Sequence, residues 1–162
     1  MELEPLQQWI CDTCGEIIAA PGDGYLEWVT DDELHARDFR IVHHKPKSPR
    51  RGPEGCYRHG KDPGRQDMHL DEFVGADGLA HLLTLLDLGQ VDPDDSGPQV
   101  KSTRELAEVI RRLHVPRYEE ARLYWSEATQ DGYFAGANEV WPYLQDTLNG
   151  IIERYRPQPE LE

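Results

Sequence analysis

Cys11-Asp12-Thr13-Cys14 and Cys56-Tyr57-Arg58-His59 each carry two metal-binding side chains three positions apart. At that spacing one turn of backbone aims both side chains at a single ion. Two such knuckles together supply the four soft or borderline donors that tetrahedral Zn²⁺ takes. All three cysteines of the chain fall in this pattern. The predicted ligand set is Cys11, Cys14, Cys56 and His59, with His43, His44 and His69 as alternatives for the fourth place. A set closed by four protein donors leaves no position for an activated water, so the expected role of zinc is structural. An odd number of cysteines, with no apolar leader ahead of Cys11, argues against a disulfide framework and for a reducing, cytoplasmic setting. A redox Cys-x-x-Cys calls for a surrounding βαβ unit, which residues near Cys11 do not form.

The segments around the knuckles read as a β-rich module. Trp9 to Ile18 reads as a short strand, a knuckle and a return, with Gly15 at a turn that needs positive φ. Tyr25 to Val29 is β-rich. Phe39 to His44 alternates, placing Phe39, Ile41 and His43 on one face and Arg40, Val42 and His44 on the other. These two segments are expected to pair as an antiparallel hairpin. Residues 45–66, rich in proline and glycine, read as an irregular loop that carries the second knuckle and that a metal would tie down. A Leu-rich helix is expected over about Asp77 to Leu88, with Asp77 as N-cap and Gly89 at its end.

Residues 90–101 read as a short acidic linker. Beyond it, helices are expected over about 102–113, capped by Ser102 or Thr103, then over 117–129 and over 138–155. Leu106, Val109, Ile110 and Leu113 recur at helical spacing in the first. Trp125, Phe134, Trp141 and Tyr143 are among the aromatics that furnish this unit with a core. The predicted organisation is therefore α+β: a zinc-stabilised β-rich module with a Leu-rich helix over 1–89, a linker over 90–101, a unit of about three helices over 102–156, and a tail over 157–162.

Charge narrows the function classes. The net charge is −14, which makes the chain as a whole a poor binder of phosphate backbones. The stretch from His43 to Arg65 runs against this trend. Lys45, Lys47, Arg50, Arg51, Arg58, Lys61 and Arg65 face only Glu54 and Asp62 there. It reads either as a solvated loop or, through Lys45, Lys47, Arg50, Arg51 and Arg58, as a nucleic-acid contact surface. No apolar run reaches the roughly 20 residues of a membrane span. No Gly-rich phosphate loop, nucleophile elbow or paired-carboxylate motif is present. Asp67, His69 and Asp71 would share a face if extended, and Asp71 fits a turn-capping role as well as a metal-binding one.

Three cysteines and a histidine at these spacings resemble the zinc-ribbon class over residues 9–60. That resemblance implies a small β-rich module serving protein or nucleic-acid contacts. Ile41-Val42-His43-His44-Lys45-Pro46, followed by Gly52, Gly55 and Cys56-Tyr57-Arg58-His59, also resembles an HNH endonuclease core. This second resemblance implies His43 or His44 as general base and His59 as a metal ligand, although no asparagine follows His44 before Cys56. The expectation is a non-enzymatic zinc-binding adaptor or regulatory protein acting on a protein partner. A nucleic-acid-binding zinc ribbon and an HNH-like nuclease are the alternatives.

Overall fold

The computed structural model describes residues 2–86 and 99–157, and the fold is mixed α+β. β1 (Trp9–Ile10) and β2 (Ile17–Ile18) form a small antiparallel ladder around the first knuckle, with Trp9 opposite Ile18. Gly15 closes that turn at φ +78°, a backbone region that glycine enters without strain. β3 (Gly24–Thr30), β4 (Ala36–His43) and β5 (Arg65–His69) form a second antiparallel sheet in the order β4-β3-β5. The hairpin of β3 and β4 sets Leu26 opposite Ile41 and Gly24 opposite His43. On the other edge of β3, Glu27 faces Asp67.

The elements after the sheet are helical. α1 (Gly75–Thr84) has its N-cap at Val74, three residues ahead of the expected Asp77. Its predicted end near Gly89 lies outside the described residues, as does most of the predicted linker. α2 (Thr103–His114) follows the predicted bounds, and the Ser102 hydroxyl accepts the Glu105 N–H. The helix expected over 117–129 is instead broken into α3 (Tyr118–Ala121), a 3₁₀ turn and α4 (Trp125–Gln130). α5 (Gln145–Tyr155) begins seven residues later than expected. Pro142 falls in a separate 3₁₀ turn over Trp141–Tyr143, and Leu144 then turns extended before the helix starts. No helix of the described residues is long and apolar enough to cross a membrane.

Two apolar cores form. In the first, Trp9, Ile18, Leu26, Ile41, Leu70 and Leu82 pack with Leu106, Val109 and Leu113 of α2. In the second, Tyr118, Ala121 and Ala128 pack with Leu148, Ile151 and Ile152 of α5. Packing thus joins α2 to the sheet, although it follows the linker in the chain. The last residues of that linker contribute: Gln99 to Lys101 run beside the start of β4, where Ala36 N–H donates to the Gln99 carbonyl and Lys101 N–H to that of Ala36.

A buried ion network locks the two cores to the first knuckle. The Arg112 guanidinium donates to both Glu119 oxygens (2.8 and 3.0 Å), to Asp12 Oδ2 (2.7 Å) and to the Ile10 carbonyl (3.1 Å). Glu119 also accepts from Ile10 N–H and from Arg122. The Trp9 indole N–H donates to the Arg112 carbonyl. Burial alone would raise the Glu119 carboxyl, but the Arg122 and Arg112 guanidiniums outweigh it and hold Glu119 below its ordinary value. Burial likewise opposes charge on Arg112, and Glu119 and Asp12 reverse that and raise it. Removing one partner of such a pair strands the other charge in the core. Glu119→Ala is therefore expected to cost about 3–5 kcal/mol in urea unfolding at neutral pH. Because the native carboxyl sits low, its stabilisation is present above the usual carboxylate range and is lost as pH falls through the native value. The gap between wild type and Glu119→Ala is expected to narrow on acidification; a gap that stays constant down to acid unfolding contradicts this account.

Candidate metal centre

The first knuckle is shaped by its own backbone and by β4. Cys11 N–H donates to the Glu16 carbonyl and Gly15 N–H to the Cys11 carbonyl, so the chain doubles back tightly between the two cysteines. Asp12 docks this turn on the edge of β4: its N–H donates to the Ile41 carbonyl, and its carboxylate accepts the Ile41 N–H at 2.7 Å. Side chains two apart on a strand share a face, so a turn docked at Ile41 lies beside His43. The second knuckle arrives from the long loop. Cys56 N–H donates to the Ser48 hydroxyl, and its carbonyl accepts from the Thr13 hydroxyl of the first knuckle.

The result is a cluster of Cys11, Cys14, His43 and Cys56, whose donor atoms all lie within 4.8 Å of one another. Cys11, His43 and Cys56 are buried and Cys14 half-buried. Cys14 Sγ stands 3.5 Å from His43 Nδ1. A tetrahedral ion with bonds of about 2.0–2.3 Å separates its donors by roughly 3.3–3.8 Å, so this spacing is that of two ligands of one ion. The far nitrogen, His43 Nε2, lies 3.1 Å from the Ile17 carbonyl. With a proton on Nε2 that contact is a hydrogen bond, and it turns the bare Nδ1 toward the sulfurs. This is the outer-shell partner that fixes ring and tautomer in metal-bound histidines.

Two of the thiols resist ionisation in the metal-free protein. Burial pushes the Cys14 thiol up to about 12; the Glu16 backbone opposes this and the neighbouring Cys11 adds to it. Cys56 is raised too, first by burial and then by Cys11, against the Ser48 hydroxyl. Several thiols packed together resist ionising beside one another, and a divalent cation at their centre reverses that resistance. The cluster could hold a metal ion.

His59, expected as the fourth donor, lies outside this cluster. Its backbone N–H and that of Arg58 both donate to Glu27 Oε1 in the middle of β3. Glu27 faces Asp67 across the sheet, so His59 is carried to β5, with Nδ1 3.3 Å from Asp67. Glu27 is fully buried, and its Oε2 has no partner among the described residues. Burial raises its carboxyl above the ordinary value, with the Arg58 and His59 N–H groups opposing.

The remaining candidates separate from the centre. His44 lies just past the end of β4, 3.9 Å from Asp23, which also pairs with Lys47. His69 packs on the Tyr25 ring. Asp67, His69 and Asp71 do not form a donor cluster among the described residues. Arg58 Nη1 donates to the Pro53 carbonyl, and Lys45, Arg50 and Arg51 are exposed around a cavity in the loop. The sequence signal for the fourth member of the cluster was the alternation that sets His43 on the face of Phe39 and Ile41.

Comparison with known proteins gives no match to a protein family, a curated protein or a solved structure.

Two outcomes are expected. Elemental analysis should find metal lost from His43→Ala and retained at full stoichiometry in His59→Ala; the reverse pattern overturns the donor set. With Cys14 and Cys56 both protonated near neutrality in the metal-free protein, binding one divalent ion at pH 7 should release about two or more protons. Affinity should then climb steeply with pH, measured by titration in buffers of different ionisation enthalpy. Metal binding without proton release contradicts the thiol assignment.

Proposed function

We propose that this protein is a non-catalytic zinc-binding adaptor or regulator, with zinc as the staple of its N-terminal half and function exerted through contacts with another protein. One observation carries the reading: a largely buried set of three cysteines and one histidine, with the second histidine nitrogen directed at the Ile17 carbonyl. Thiolate-rich donor sets favour Zn²⁺ over hard cations such as Mg²⁺ and Ca²⁺. Four protein donors fill a tetrahedron, so such an ion braces the fold and leaves no position for substrate. The ion would join the strand ladder at Cys11 and Cys14, the sheet at His43 and the long loop at Cys56.

The C-terminal unit offers a surface for protein contact. Val140, Trp141 and Leu144 are 57%, 38% and 50% exposed within five consecutive positions. Neighbouring exposed apolar side chains of this kind are found where proteins meet, and tryptophan is enriched at such contacts. The nuclease alternative draws less support. His43, one of its two base candidates, faces the sulfur cluster, and His44 sits beside Asp23 just past the end of the strand.

Cobalt substitution tests the reading. Co²⁺ should give the intense visible bands of a tetrahedral thiolate site, unchanged on adding cyanide. A spectrum shifted by cyanide reveals an open coordination position and moves the protein to the catalytic class. Extraction of the native ion by a chelator should lower the unfolding temperature, and equimolar Zn²⁺ should restore it. Chelation that leaves the melting curve unchanged removes the structural role.

A further inference from the structure

The loop between β4 and β5 encloses a cavity of about 640 Å³. Its wall includes Lys45, Arg50, Arg51 and Lys61, together with the rings of Tyr57 and His59. Among the described residues no carboxylate lines it. Among the described residues, none of these four cations is paired with an acidic side chain, although the chain carries a net charge of −14. The other loop cations contrast with them: Lys47 pairs with Asp23, and Arg65 pairs with Asp38 and Asp62. Four cations around one hollow, without an acidic partner among the described residues, give it a local positive charge.

The hollow is a built feature of the loop. Gly52 and Gly60 turn the backbone through left-handed conformations at φ +63° and +76°. Lys61 Nζ reaches across to the Gly52 carbonyl at 2.8 Å, which ties the two ends of the hollow together. Its floor is fixed from below by the Ser48–Cys56 hydrogen bond and by Glu27, which gathers the backbone N–H groups of Arg58 and His59. The Tyr57 and His59 rings are stacked, with centroids 6.1 Å apart and planes 17° from parallel.

We propose that this cavity binds a phosphate-bearing ligand of mononucleotide size, with the phosphate among Lys45, Arg50, Arg51 and Lys61 and the ligand's ring against the Tyr57–His59 wall. Each part of the proposal answers an observation. Guanidinium forks match phosphate oxygens two at a time, and adjacent lysines add charge without demanding one geometry. The volume falls within the usual span for small-molecule sites, roughly 300–1,000 Å³, which is far more than a bare phosphate fills. Stacked aromatic side chains give a planar heterocycle a surface that accepts any base. A free nucleotide and one residue of a single strand present the same phosphate and ring. None of the residues lining the cavity belongs to the cysteine cluster.

Isothermal titration of the full-length protein, as purified with its metal, tests the assignment. The probes are AMP, adenosine, inorganic phosphate and a single-stranded oligoadenylate. AMP is expected to bind saturably at one site, adenosine about tenfold or more weaker, and inorganic phosphate to compete with AMP. Arg50→Ala/Arg51→Ala should weaken AMP by about tenfold or more while leaving the circular dichroism, melting temperature and metal content unchanged. Tighter binding of oligoadenylate than of AMP, salt-sensitive and lost in the same variant, assigns the phosphate to a nucleic-acid strand; tighter AMP assigns it to a free nucleotide. The proposal is overturned if neither AMP nor oligoadenylate binds. It is equally overturned if adenosine matches AMP, or if the double variant binds as wild type does.

Discussion

Each of the two cysteine knuckles is held from behind by a buried carboxylate, and the rest of the structure depends on these two anchors. Behind the first, Arg112 bridges Asp12 and Glu119, so the turn between Cys11 and Cys14 is fastened both to the sheet and to the helices. Behind the second, Glu27 collects the backbone N–H groups of Arg58 and His59 and so seats the residues that follow Cys56 on β3. A buried charge is costly unless its partners are complete, which makes both anchors selective for one arrangement of the chain. In the first, Arg112, Arg122 and the backbone N–H groups of Ile10 and Ile41 satisfy the acids. In the second, Glu27 Oε2 has no partner among the described residues, and burial raises the carboxyl above its ordinary value.

These anchors divide the N-terminal half into a dry side and a wet side. Sulfur and imidazole gather where Cys11, His43 and Cys56 are buried. Lysine and arginine gather a few residues away around the open hollow of the loop. The same long loop serves both, because the Ser48–Cys56 hydrogen bond closes the stretch that carries Arg50 and Arg51, and Lys45 and Lys61 flank that stretch. A loop of this length survives in a compact fold only if something fixes it. Here the fixing groups also determine where its charges point.

Much of the α+β plan was legible in local pattern: the two-residue ladder around Gly15, the hairpin of β3 and β4, and α2 with its Ser102 cap. All of these are set within about twenty residues by alternation, turn glycine or capping. The late start of α5 was not legible, because Trp141-Pro142-Tyr143 suits the first turn of a helix as well as it suits a separate 3₁₀ turn. The grouping of α2 with the sheet was not legible either. Its apolar stripe of Leu106, Val109 and Leu113 announces a buried face but not which core buries it.

The sequence by itself determined that three cysteines and a histidine would be the chemistry of the N-terminal half, since side-chain type and spacing are local properties. Only the tertiary structure decided which histidine joins them. Asp12 docks the first knuckle on Ile41, and strand alternation then delivers His43 to the sulfurs. Glu27 meanwhile draws His59 across the sheet toward Asp67. Both outcomes follow from hydrogen bonds between residues about thirty positions apart, and pairing at that distance depends on register between strands rather than on any motif along the chain.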